Sequence, residues 1–209
     1  MSSWGLMPHG PEHFDAMFSA SDDPWHFKTR WYESRKRELT LAALPAPRFG
    51  TAYEPGCANA ELSLALAPRC DRLLISDGSP KAVRVARERS AHLGHVEVRH
   101  AWIPEEWPEQ QFDLIVLSEV AYYLDEAALD LLAECILASM LPHATLLACH
   151  WRERIGGCTM SGDDVHRHLA DRLALPHLAS YSDDDLRLDV WSLDCRSVAE
   201  REGFKLPRS

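Results

Sequence analysis

The run Ala52-Tyr53-Glu54-Pro55-Gly56-Cys57-Ala58-Asn59-Ala60-Glu61-Leu62 decides the fold. It closes a short apolar run at 51–54, turns at a glycine, and opens a helical pattern at about 60–67. Gly56 allows a tight turn and lets a ligand approach the backbone closely. Downstream, apolar runs at 73–77, 96–100, 112–118 and 145–150 alternate with helical patterns at 79–93 and 126–141. Strands alternating with helices imply βαβ units and a parallel sheet. The run Asp113-Leu114-Ile115-Val116-Leu117 is apolar on both faces, as a central strand covered by helices on both sides requires. In such a sheet the first strand-to-helix turn borders the crevice where strand order reverses and ligands bind. Asp77 ends the next strand about twenty residues on, where a carboxylate can accept hydrogen bonds from the two hydroxyls of a ribose.

Helix starts are well marked. Ser79-Pro80 is an N-cap with proline at the first helical position, and Ser161-Gly162-Asp163-Asp164 resembles a capping box with Asp in place of Glu. Residues 187–193 alternate with period two and read as a late strand. Residues 1–10 carry no periodicity and read as a frayed end. Residues 13–43 are helical in pattern, interrupted at Asp22-Asp23-Pro24, which reads as a second helix start. The chain therefore divides into an N-terminal helical cap over 1–45, part of the same domain, and an α/β domain over 46–209.

The 209 residues are 46% hydrophobic and 26% charged, an ordinary globular composition with enough length to bury a core. No apolar run approaches the ~18 residues a membrane span needs. No Lys or Arg precedes Lys28, so the basic region of a signal peptide is missing and a cytoplasmic location is expected. The 22 basic against 32 acidic residues give a net charge of −10, which repels polyanions and disfavours nucleic acid as a partner. Six cysteines without a C-x-x-C pair read as buried thiols of a reducing compartment.

Glu54-Pro55-Gly56-Cys57, Ser76-Asp77-Gly78-Ser79-Pro80 and the run 112–124 together resemble the three core motifs of class I S-adenosylmethionine-dependent methyltransferases. The flanks Asp23-Pro24-Trp25, Trp31-Tyr32-Glu33-Ser34-Arg35-Lys36, Trp107-Pro108, Cys149-His150-Trp151-Arg152 and Leu188-Asp189-Val190-Trp191 resemble the nodulation-protein-S-like branch. The resemblance runs from about residue 13 to 193. It implies an α/β, Rossmann-like seven-stranded sheet, mostly parallel with one antiparallel strand, helices on both faces and an N-terminal helical cap. It also implies transfer of a methyl group from S-adenosylmethionine to an amine of a sugar or similar small polar acceptor, leaving S-adenosylhomocysteine. The founding enzymes of the branch N-methylate the free amine of a de-acetylated chitin oligosaccharide.

Carried over position by position, the resemblance puts Gly56 under the methionyl and ribose part of the cofactor. Glu54 would orient its amino group, Asp77 would hold the ribose, and Gly78 and Ser79 would adjoin it. Residues 101–103, with Trp102 and Ile103, would flank the adenine. Ser118 and Glu119 would lie near the reactive methyl, and the helices carrying Trp25, Arg30, Trp31, Tyr32 and Arg35 would cover the cofactor. An amine acceptor must be neutral to attack, so a proton acceptor is needed. Glu119 leads, with Tyr122 and His150 behind it; Glu119 as an orienter of the cap and His150 as a structural histidine are the competing readings. The sequence departs from the family pattern at Ala58 and Ala60, where glycine is usual, and at Trp102, where the branch usually has Asp. Trp102 has a donor and no acceptor, and can stack on or wall off an adenine. A binding protein on the same fold, and an oxygen acceptor, therefore stay open. The His166-x-His168 spacing is weak for a metal, because i and i+2 point to different faces of a helix. Gly156-Gly157 reads as a hinge.

Overall fold

A computed structural model describes residues 10–206. The expected frayed start falls almost wholly outside them. Two helices come first, α1 (Pro11–Ala20) and α2 (Trp31–Ala43). There follow β1 (Phe49–Pro55), α3 (Glu61–Leu66), β2 (Cys70–Asp77), α4 (Pro80–Ser90), β3 (Val96–His100) and β4 (Phe112–Ser118). The chain then runs through α5 (Glu126–Ser139), β5 (Met140–Trp151), α6 (Gly162–Leu173), β6 (His177–Ser182), β7 (Leu186–Ser192) and the short α7 (Val198–Arg201). The seven strands lie in the order β3-β2-β1-β4-β5-β7-β6. All neighbouring pairs are parallel except β5–β7 and β6–β7, so β7 alone runs against the rest. Order reverses between β1 and β4, and the crevice opens at their C-terminal ends.

Alternation along β4 divides the core in two. Ile115 and Leu117 face Leu129, Leu132 and Ile136 of α5 and Val165 and Leu169 of α6. Leu114 and Val116 face the other layer, with Leu66 of α3 and Ala86 of α4. All four β4 side chains are buried, because a period of two sends successive residues to opposite faces and both faces carry helices. Asp113 sits at the opposite end of β4 from the crevice, where its carboxylate accepts from the amides of Gly50 (2.6 Å) and Thr51 (2.8 Å).

Both marked helix starts form. Ser79 caps α4 by accepting from Ala82 N, and Ser161 with Asp164 makes a full capping box on α6. Asp22-Asp23-Pro24 starts no helix. Asp23 instead closes a turn, its two carboxylate oxygens accepting from the amides of Phe27 (2.8 Å) and Lys28 (3.2 Å), and α2 begins only at Trp31. An Asp side chain satisfies backbone donors of a turn as well as those of a helix end, so the residue type did not distinguish the two. Strand β6 carried no sequence signal. It is the sheet's edge, with its residues exposed or half-buried, and no apolar alternation is imposed on it. Of the six cysteines, all free, Cys57, Cys70 and Cys149 are buried, Cys135 and Cys158 half-buried, and Cys195 exposed.

Candidate active site

The C-terminal ends of β1, β2 and β4 open into a cavity of about 570 Å³, roofed by α1, α2 and the turn between them. Its floor begins at the glycine turn. Gly56, Ala58 and Ala60 take φ of +72°, +49° and +63°, so the two alanines adopt the left-handed conformation that a glycine at the same position would take freely. Ala58 lines the cavity, whereas Ala60 is fully buried and packs in the core with Leu62 and Leu66. The methyl of Ala60 therefore takes no room from a ligand. The loop is tied to the next strand: Ala58 N donates to Asp77 Oδ2 and Ser79 N to Asp77 Oδ1, both at 2.9 Å. Two amides fix the carboxylate, and each oxygen keeps a second lone pair for a ligand hydroxyl. Burial pushes the Asp77 carboxyl up, and these amides resist the shift.

Glu54 lies beneath the turn, 3% exposed; its side chain contributes to the cavity lining, and its Oε2 is buried without a hydrogen-bond partner. Burial pushes its carboxyl up to about 8; the nearby Ser63 hydroxyl eases this without reaching hydrogen-bond geometry. A buried carboxylate with an unpartnered oxygen at the edge of a cavity has bonding capacity for a cationic ligand group. Ala101, Trp102 and Ile103 form one wall, with the Trp102 indole lying over Gly78 so closely that any Cβ there would overlap the ring. Gly78 is thus a steric requirement of the wall.

The opposite wall is built from α2 and the end of β4. Glu119 has φ +57° and lines the cavity with Ser118. Its Oε1 accepts from Lys36 Nζ (2.8 Å) and Tyr32 Oη (3.4 Å), and its Oε2 from Tyr122 Oη (2.8 Å) and Trp151 N (2.9 Å). Four donors fill the carboxylate's acceptor sites, which suits an orienting anion better than a proton acceptor. Lys36 also pairs with Glu33 Oε2 at 2.9 Å. Burial opposes its charge, but Glu119 and Glu33 outweigh burial and its pKa is raised. Burial, with Glu119 beside them, raises the hydroxyls of Tyr32 and Tyr122 as well.

Lys36 and Glu33 were not among the residues picked from the sequence. A signal was there: Glu33, Lys36 and Thr40 recur at i, i+3, i+7 on α2 and all are buried, a polar stripe where a packed helix normally carries an apolar one. Four sequence candidates fall away from the cavity wall. Trp31 is 70% exposed. Arg35 reaches outward to Tyr181 and to Asp183 (2.7 Å). Ser79 is buried as a helix cap, its hydroxyl also bonded to Asp15. His150 is buried behind the cavity with both ring nitrogens engaged, by Ala121 N and His166, and so does not face an acceptor. The family resemblance suggested Trp31, Arg35 and Ser79, and strand-end position suggested His150; the rotation of each side chain about its element decided otherwise. Among the described residues no group of three His, Cys, Asp or Glu side chains has metal-binding geometry; His168 pairs with Asp130 at 2.7 Å. Nor is any described helix long and apolar enough to cross a membrane.

Comparison with known proteins agrees with this architecture. Nodulation protein S of Sinorhizobium fredii is 34% identical over 123 residues, 58% of this chain and 57% of that protein. Nodulation protein S of Bradyrhizobium diazoefficiens is 35% identical over 140 residues, 65% of this chain and 66% of that protein. The chain thus spans less than two thirds of the length of these curated relatives. Among solved structures, a candidate methyltransferase from Pseudomonas syringae is 50% identical, with 78% of this chain and 99% of that chain covered at a TM-score of 0.71. The N-methyltransferase NodS from Bradyrhizobium japonicum, crystallised with S-adenosyl-L-homocysteine, shares the fold at 24% identity and TM-score 0.77, covering 87% of this chain and 97% of that one. The family model for nodulation protein S matches residues 16–163, which include the glycine turn, Asp77, Glu119 and both cavity walls, and the chain belongs to the NodS family.

Proposed function

We propose that this chain is an S-adenosylmethionine-dependent methyltransferase that methylates the amine of a small polar acceptor, a sugar or a metabolite of similar size. The observation that carries it is the juxtaposition, on one cavity, of Glu54 with its unpartnered buried oxygen and Asp77 with its amide-fixed carboxylate. These residues fit the cofactor: Glu54 meets an ammonium, Asp77 a pair of ribose hydroxyls, and the Trp102 face an adenine. Ala58 and Ala60 keep the loop in the conformation that glycines would take, which supports cofactor binding over a degenerate relative. When bound, the cofactor supplies an electrophilic methyl on a sulfonium that leaves as a neutral thioether.

The chain's own contribution is orientation, which can supply several kcal/mol of the barrier. Glu119 holds Lys36, Tyr32 and Tyr122 as one hydrogen-bonded unit on the acceptor side. Glu33 and Glu119 set two carboxylates against Lys36, but Arg30, Arg37 and Asp185 line the cavity as well, so this wall carries no net negative charge and its contribution is to hold its hydrogen-bonding groups in place. Because Glu119 is filled by donors, the amine attacks as its neutral fraction and the proton leaves to water. This replaces the reading of Glu119 as general base.

The test is calorimetry with S-adenosylmethionine and S-adenosylhomocysteine, followed by turnover against a panel of amines that includes glucosamine and de-acetylated chitin oligosaccharides, with matched alcohols as controls. Binding of both nucleosides and turnover confined to amines is the expected result. Absence of binding, or turnover on the alcohols alone, overturns the reading.

A further inference from the structure

Behind the acceptor wall runs a chain of buried polar groups that the reading above does not use. The amide of Ala121 donates to His150 Nε2 at 3.3 Å. A ring nitrogen that accepts carries no proton, so the proton of a neutral His150 is on Nδ1 and is donated to His166 Nε2 at 3.0 Å. By the same logic His166 carries its proton on Nδ1 and donates it to Asp189 Oδ2 at 2.6 Å. Asp189 accepts further from Arg187 Nε (2.8 Å) and sits 2.7 Å from His177 Nε2. The order of donors is thus forced from end to end. His150, His166 and Asp189 are 0, 0 and 1% exposed and come from β5, α6 and β7.

The inner end of this chain meets the backbone where the acceptor wall is made. Glu119 N donates to Cys149 O (3.0 Å) and Ala121 N to the side chain of the next β5 residue. These two bonds bracket a segment that must hold Glu119 in a left-handed conformation and present the Tyr122 hydroxyl back to it. The segment also carries Val120, whose side chain lies against Gly56, where a Cβ would come within 2.8 Å of it. Ala121 opens a single 3₁₀ turn (Ala121–Tyr123), and a helical N-terminus has no internal partner for its first amides.

We infer that His150, His166 and Asp189 are positioning residues for methyl transfer: Asp189 fixes the tautomer of His166, His166 fixes that of His150, and His150 Nε2 is thereby kept an acceptor that pins Ala121 and with it the 119–122 segment. A neutral His150 turned to its other tautomer would present a donor to the Ala121 amide and push the segment away. Burial lowers the basicity of both histidines, with His150 further disfavoured as a cation by His166 and Lys36, so the neutral forms on which the relay depends persist.

The kinetic part of this inference rests on the methyltransferase reading; the structural part does not. The test compares the full chain with His150→Phe, which keeps the bulk of a ring but neither accepts nor donates, and His150→Gln, whose amide can do both. Amide hydrogen exchange at Ala121, measured with S-adenosylhomocysteine present, should quicken at least ~10-fold in His150→Phe and be largely restored in His150→Gln. Turnover with whichever amine the panel favours should fall at least ~10-fold in His150→Phe and recover in His150→Gln, with KM for S-adenosylmethionine within about threefold throughout. Exchange and turnover both within twofold of wild type in His150→Phe overturn the inference, as does equal impairment of the two variants. Should His150→Phe fail to fold, Asp189→Asn takes its place with the same readouts, and unchanged Ala121 exchange there overturns it. Should wild type itself turn over no amine, the methyltransferase reading fails while the exchange arm still decides the relay.

Discussion

The two walls of the cavity are built in opposite ways. The cofactor wall is local and made largely of backbone: a left-handed turn over 56–60, a carboxylate fixed by two amides, and a glycine flattened under an indole. Its buried acid, Glu54, has an unpartnered oxygen. The acceptor wall is non-local and made of side chains, joining α2 at Glu33 and Lys36 to Glu119 more than eighty residues away. Its acid is filled by donors. One wall therefore has bonding capacity waiting for a ligand, and the other uses its capacity to stay rigid. Changes on the first should show in binding; changes on the second should show in turnover.

Glu119→Gln strikes the second wall hardest. It removes the charge that holds Lys36 and breaks a saturated network, so turnover is expected to fall ~10²-fold or more with cofactor affinity kept within a few fold. The shape of the pH–rate profile should not change. Loss of its acidic limb in this variant would restore Glu119 as the base, and a parallel loss of cofactor affinity would merge the two walls into one site.

Asp77→Ala is the matching change on the first wall. Loss of charge-assisted hydrogen bonds to ribose should weaken S-adenosylhomocysteine binding by roughly 2 kcal/mol, about 30-fold, as read by calorimetry. Unchanged affinity would remove the cofactor from this wall.

A smaller effect separates the two acids by pH. The Glu54 carboxyl moves from 4.5 to about 8 on folding, because burial penalises the anion. Between those values the folded state holds a proton that the unfolded state has released, so stability falls as pH rises from about 4.5 to 8. Glu54→Gln removes this dependence and should raise unfolding free energy at pH 8 by roughly 1–3 kcal/mol, while weakening binding of the cofactor's ammonium end. Denaturant titrations of both proteins at pH 5 and pH 8 check the sign; a wild type that gains stability over that window would refute the assignment of a buried, unpaired Glu54.

The smallest expected change is Ala60→Gly. A left-handed alanine is strained by about 1 kcal/mol relative to glycine, offset in part by the greater freedom glycine regains on unfolding. Its methyl faces the core, so the variant should match or slightly exceed wild type in stability and leave cofactor affinity untouched. A marked change in affinity would place residue 60 on the cofactor wall after all.

What the sequence determined by itself was the sheet and the first wall. Period-two apolar runs, marked helix caps and a glycine turn between strand and helix are local signals. Parallel strands joined by helices leave the crevice in one place, so Gly56 and Asp77 could be set on its rim before any coordinates, and the family resemblance added Glu54, Trp102, Ile103 and Ser118. Glu119 and Tyr122 were also placed, though whether Glu119 acts as base or holder turns on partners that lie far along the chain. Only the tertiary structure decided which way side chains point and whom they meet: it sent Trp31 and Arg35 outward, made Ser79 a helix cap, and turned His150 into a buried link. It also brought Lys36 and Glu33 to Glu119, and converted Asp23 from a helix start into a turn closure. The physical reason is the same in each case. Backbone periodicity is written residue by residue along the chain, whereas the pairing of buried charges and the choice of a histidine tautomer depend on groups that only packing brings within 3 Å of one another.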